Sequence, residues 1–203
     1  MLLPARCAIC ARPGPSPCGR CVGALRRAPP VAPPRGLVSC HALLAYDGPA
    51  RDLVARVKYR NARGSVTWLG RAMAGLVPPP RQGTAGPLVV TWAPTSGARR
   101  RARGFDHAEL LARSAGQVLG RRPTALLNRV GHAAQTGHGR VDRLAGPVFR
   151  PAPGATLAPG STVVLVDDVL TTGATLSAAA MALRRLGAAE VIGLVAARTP
   201  GGR

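Results

Sequence analysis

Asp167 and Asp168 stand side by side in the stretch 163–175, which reads Val-Val-Leu-Val-Asp-Asp-Val-Leu-Thr-Thr-Gly-Ala-Thr. Acid is scarce in this chain, with 8 Asp and Glu against 28 Lys and Arg. Two adjacent carboxylates repel one another unless a ligand or a cation separates them. The apolar run before them predicts a strand, and the periodic run after Thr175 predicts a helix. Ligands of open parallel sheets bind at the carboxyl ends of strands. A helix start there offers free backbone N–H groups and the positive end of the helix dipole. Gly173 lets backbone approach an anion closely. Thr171, Thr172 and Thr175 add hydroxyl donors. Carboxylates suit sugar hydroxyls or a hydrated magnesium ion. The expected site is therefore a phosphate cradle beside a pair of acids. The competing reading is a capping Asp168 and a threonine-filled turn, which would need neither the second acid nor the run of hydroxyls.

Four of the five cysteines form a second constellation. Cys7-x2-Cys10 and Cys18-x2-Cys21 are paired knuckles separated by seven residues. Four thiolates at that spacing can converge tetrahedrally on Zn2+, and four protein ligands leave no open position, so the metal would be structural. Two disulfides or an iron ion are the alternatives. Cys40 reads as a buried core cysteine.

Lys58 is the only lysine among 27 arginines. It can be a compact charge placed on a phosphate, or a helix-end charge facing the dipole. Arg99, Arg100, Arg101 and Arg103 follow a predicted strand end. Arg101 and Arg103 are candidates to neutralise a pyrophosphate through bidentate contacts. The alternative is a solvated loop. His107, His132 and His138 read as surface residues.

The elements that must position these residues alternate. Strands are predicted over 37–46, 88–92, 163–166 and 191–197. Helices are predicted over 49–60, 65–77, 106–119 and 175–186. The helix at 106 has Asp106 as N-cap, Glu109 in a capping-box position and a Phe105–Leu110 staple. Residues 94–104 read as an arginine-rich loop, and 128–146 as a mobile polar loop able to close over a ligand. Apolar strands alternating with helices predict an α/β fold, an open and mostly parallel sheet with helices on both faces. Residues 1–35 have almost no apolar periodicity and read as a four-cysteine zinc-binding segment. Residues 36–203 read as one α/β domain.

The net charge of +20 points to polyanions, although the arginine skew also fits a genome-wide compositional bias. Aromatics at 3% leave few platforms for stacking single-stranded bases. No apolar run approaches the ~20 residues of a membrane-spanning helix. With no signal-peptide pattern at the start, a cytoplasmic protein without membrane insertion is expected.

The run Asp167-Asp168-Val-Leu-Thr-Thr-Gly-Ala-Thr resembles the phosphoribosyl-pyrophosphate (PRPP) motif of type I phosphoribosyltransferases. The resemblance implies that Asp167 and Asp168 contact the ribose hydroxyls, with Mg2+ accompanying PRPP. It implies that Thr171, Thr172, Gly173, Ala174 and Thr175 hold the 5-phosphate. Val57-Lys58-Tyr59, Arg101-Ala-Arg103-Gly104-Phe105, Gln135 and Arg143 fall in the order and rough spacing of the competence protein F (ComF) family. That family joins an N-terminal zinc-binding segment to a phosphoribosyltransferase domain. The chain departs from its pattern at Asp106-His107, where Asn-Gln is usual, and at Trp92-Ala93-Pro94, where a Pro-Val-Pro type segment is usual. The resemblance implies phosphoribosyl transfer from PRPP to an unspecified acceptor, linked to DNA uptake or nucleotide metabolism. It also carries an alternative, a non-enzymatic accessory protein that binds single-stranded DNA for the competence machinery.

Overall fold

The computed structural model describes residues 6–56, 63–79, 86–130 and 146–200. Lys58 and the family-motif residues Gln135 and Arg143 lie outside the described residues, as do His132, His138 and the greater part of the predicted mobile loop.

Four parallel strands form the main sheet in the order β1-β6-β5-β2. They are β1 (Ser39–Ala45), β2 (Leu88–Trp92), β5 (Thr162–Leu170) and β6 (Glu190–Arg198). The central strands β5 and β6 are nearly continuous apolar runs because both their faces are covered. Val164 and Val166 point to one core and Val163 and Leu165 to the other, following the two-residue period of a strand.

On the first face lie α2 (Gly48–Arg56), α3 (Arg63–Ala74) and α5 (His107–Leu119), which contribute Leu53, Leu69, Met73 and Leu111 to the core. Helices α3 and α5 cross closely at Gly70, where any side chain would overlap Ser114. On the second face lies α6 (Ala174–Arg185), packed through Leu176, Ala180 and Leu183. This is the expected α/β architecture, phosphoribosyltransferase-like, with an N-terminal four-cysteine cluster. No helix among the described residues is long and apolar enough to cross a membrane.

Several local expectations are corrected. The arginine-rich stretch 94–104 is not all loop, because Gly97–Arg103 forms a short helix, α4. Ala and Arg both favour helix, and Pro94 is already behind the helix start. The polar stretch 128–146 is entered by β3 (Leu127–Val130) and left by β4 (Val148–Pro151), an antiparallel ribbon. Strand β5 runs on to Leu170, so Asp167 and Asp168 sit within the strand and not beyond it.

The N-terminal segment, including the short helix α1 (Gly19–Gly23), does not stand apart. Ala8, Ile9 and Leu25 join the first core. Residues 26–28 then run along β1, with Arg26 O accepting from Ala45 N at 2.9 Å and Ala28 N donating to Leu43 O at 3.1 Å. Val31 reaches the second core, and Pro30 O accepts from Arg198 Nη1 at 2.7 Å. The strap therefore wraps one edge of the sheet from face to face.

Candidate active site and metal centre

The cleft at the carboxyl edge of the sheet arises from unequal strand lengths. Strand β2 pairs with β5 only as far as Trp92, opposite Val166. One more bond, Ala93 N to Val166 O at 2.9 Å, precedes the turn at Pro94. Strand β5 continues alongside β6 to Leu170. Residues 167–170 thus form a ledge whose β2-facing edge is left open. The connection from β2 leads to α5 on one face and that from β5 leads to α6 on the other, which opens a crevice at this point.

The crevice is a cleft of about 310 Å³. Its walls include Thr95, Asp106, His107, Arg129, Asp167, Asp168 and Thr175. The two ledge acids are locked by their own backbone. Asp168 N donates to Asp167 Oδ1 at 2.8 Å, and Val169 N donates to Asp168 Oδ1 at 2.7 Å. Burial, and then the neighbouring Asp168 carboxylate, push the Asp167 pKa well above its ordinary value of 3.8. Asp106 adds to that pressure. A cation or hydroxyl donors at the ledge would relieve it.

Gly173 is the N-cap of α6 in the left-handed conformation, with φ at 79°. It is buried, and a Cβ there would lie 2.9 Å from Pro34 Cγ. The glycine is thus needed for the turn and for the strap beneath it, a requirement that the sequence did not reveal. Thr171, Thr172 and Ala174 are exposed, and Thr172 Oγ1 accepts from Ala174 N at 3.4 Å. Thr175 lines the cleft in the first turn of α6, where helical N–H groups lack intrahelical partners.

The opposite wall starts at Asp106, the N-cap of α5. Its Oδ1 accepts from Ala108 N at 3.1 Å and its Oδ2 from Thr95 N at 2.7 Å. It therefore caps the helix and ties down the loop after β2. Burial raises its pKa despite these bonds. Glu109 is not seen closing a capping box; it pairs with Arg113 at 2.7 Å, four residues on. His107 is no surface residue. It is 4% exposed, stacks edge-on with Phe105 at 5.2 Å and lines the cleft.

Of the two arginine candidates, Arg101 is exposed on α4 and does not line the cleft. Arg103 ends that helix. Arg129, which no sequence motif singled out, does line it.

The four cysteine sulfurs lie within 4.8 Å of one another. Sulfurs placed tetrahedrally around zinc at ~2.3 Å would be separated by about 3.8 Å. Cys10 Sγ and Cys18 Sγ are 3.8 Å apart, so the donor set fits that ion. Cys7 Sγ accepts from Ile9 N at 3.5 Å and from Cys18 N at 3.4 Å. Burial pushes the Cys7 thiol up, but backbone hydrogen bonds outweigh it and bring it to about 6. Burial and the neighbouring thiols push Cys21 to about 12. The cluster alone thus favours one thiolate, and a divalent cation supplies the charge that four require. The knuckle is fixed to α3 through Ser16 Oγ, which lies 2.8 Å from Ser65 Oγ and accepts from Ala8 N at 2.8 Å. Cys40 is buried in the second core, and burial raises its thiol to about 11.

A ledge of paired acids, a glycine-capped helix start and a four-strand parallel sheet define a phosphoribosyltransferase-like domain. The family model described as phosphoribosyl transferase domain matches residues 108–203, from α5 through the acid pair to β6. The chain thus carries a phosphoribosyltransferase domain together with an N-terminal four-cysteine cluster. No curated protein matches it.

Proposed function

We propose that the cleft binds PRPP with Mg2+ and that the protein transfers the phosphoribosyl group to an acceptor. The observation that carries this is the open ledge of β5, where Asp167 and Asp168 lie one short loop ahead of the α6 N-terminus. In this reading the two carboxylates accept hydrogen bonds from the ribose diol. The 171–175 loop and the first turn of α6 hold the 5-phosphate. With both ends of the sugar fixed, its C1 is oriented for attack as the bond to pyrophosphate breaks. Ribose gains positive charge in that step, and the nearby acids stabilise it. Mg2+, when bound, neutralises charge on the departing pyrophosphate. Lys58, Arg101 and Arg103 remain proposed phosphate contacts on the strength of the family resemblance. So do the division at residue 35 and the assignment of Cys7, Cys10, Cys18 and Cys21 to structural zinc.

Calorimetry with PRPP and Mg2+ tests the pocket. Wild type should bind, and Asp168→Asn should bind at least tenfold more weakly. A wild type that gives no binding heat at any temperature tried, and no PRPP-induced thermal shift, overturns the proposal.

A second reading, single-stranded DNA handling in DNA uptake, is favoured by one observation. A groove beside the cleft is lined by Trp92, Arg100, Arg113 and Arg122, and α4 carries no acid. Phosphodiester binding there would be strongly salt-dependent. It should survive Asp167→Ala and Asp168→Ala and weaken in Arg100→Ala with Arg122→Ala. Equal binding by all these variants sinks it.

A further inference from the structure

Arg129 occupies a place that suits one task. It lies on β3 directly opposite Phe149 of β4. Residues directly opposite in an antiparallel pair share one face of the ribbon. The Arg129 guanidinium carbon is 5.8 Å from the Phe149 ring centroid. Phe149 is 3% exposed and anchored among Leu126, Leu127 and the residues of α6. The ribbon packs on α6, the helix whose first turn lines the same cleft. The guanidinium is thus held on a buried platform at a fixed position relative to Thr175.

The electrostatics of the cleft give that position its meaning. Three carboxylates line it, Asp106, Asp167 and Asp168. Arg129 is the only guanidinium among the described residues that line it. An anionic ligand entering beside three acids needs a cation on the facing wall. A guanidinium stacked on an aromatic ring keeps its planar edge of N–H donors available for a bidentate contact.

We propose that Arg129 binds an anionic oxygen group of the ligand through paired N–H donors, and that Phe149 is a positioning residue that fixes the guanidinium plane. The proposal rests on the ribose-phosphate reading of the cleft. Two groups of the ligand share the required chemistry, the 5-phosphate and the pyrophosphate. Titrations with Mg2+-PRPP, ribose 5-phosphate and Mg2+-pyrophosphate distinguish them.

Arg129→Ala should weaken Mg2+-PRPP binding at least tenfold. Arg129→Lys, which keeps the charge and the aliphatic stem over Phe149, should recover only part of the loss. A parallel loss with ribose 5-phosphate assigns Arg129 to the 5-phosphate. A loss confined to PRPP and pyrophosphate assigns it to the pyrophosphate. Either result supports the proposal, provided that the lysine variant unfolds at the wild-type temperature. Wild-type affinity in Arg129→Ala overturns the inference and leaves the cleft reading intact. Wild-type affinity in Arg129→Lys overturns the paired contact and its platform. Failure of the wild type to bind any of the three probes overturns the cleft reading and this inference with it.

Discussion

Asp167 shows how a binding residue can work against its own fold. Its carboxyl is buried beside Asp168, and both causes raise its pKa above 3.8. Between that value and the folded pKa, the folded protein keeps a proton that the unfolded chain has lost. Stability of the ligand-free protein therefore falls as pH rises through this window. Asp167→Asn, always neutral, escapes the penalty. Its Tm should match wild type below about pH 4, near the ordinary carboxylate range, and exceed it at pH 7. The same variant should bind Mg2+-PRPP roughly tenfold to a hundredfold more weakly, since hydrogen bonds to a charged acceptor contribute about 1.5–3 kcal/mol. A thermal-shift series against pH, read beside calorimetry, checks both signs. Lower stability than wild type at pH 7 would contradict the electrostatic account.

Among the elements, the junction of β5 and α6 carries the greatest constraint. Gly173 must take a positive φ, and Pro34 of the N-terminal strap closes the space where a Cβ would go. Gly173→Ala should lower stability by about 1–2 kcal/mol for the backbone alone, with the Pro34 overlap added. For a chain of this size that corresponds to a fall in Tm of roughly 2–8 °C or more. Because the same turn starts α6, affinity for ribose 5-phosphate should fall too, as calorimetry would register. Pro34→Ala with Gly173→Ala should recover the part due to overlap and none of the part due to φ. The strands at this junction were legible in sequence because β5 is apolar on both faces. Its true end was not, since nothing local to Asp167 and Asp168 shows that β6 continues beside them and β2 does not. The β3–β4 ribbon was equally hidden, because its strands are four residues each and mostly polar on their open face.

Across the molecule, the cysteine cluster and the cleft are joined by one strap. It leaves the knuckles on the first face, follows β1 and ends beneath Gly173 on the second. Metal analysis should find one zinc per chain. Cys10 is exposed, so Cys10→Ser removes a ligand with little loss of packing. Its Tm should fall by several degrees, as should that of wild type after chelation, because metal binding and folding of such a segment are coupled. Chelation that leaves Tm unchanged would show that the segment holds itself in place without metal.

The α/β class, the acid pair, the hydroxyl-rich loop and the four-cysteine spacing are all legible in the chain before it folds. Each is written in local periodicity or in contiguous residue types, which need no knowledge of distant partners. Which wall faces those acids is a matter of tertiary structure. His107 and Arg129 lie far from Asp167 in sequence, and Arg129 is one arginine among 27. Only the lengths of paired strands and the packing of a two-stranded ribbon on α6 bring them to one cleft. Long-range strand pairing is a property of the assembled sheet, and no single segment encodes it.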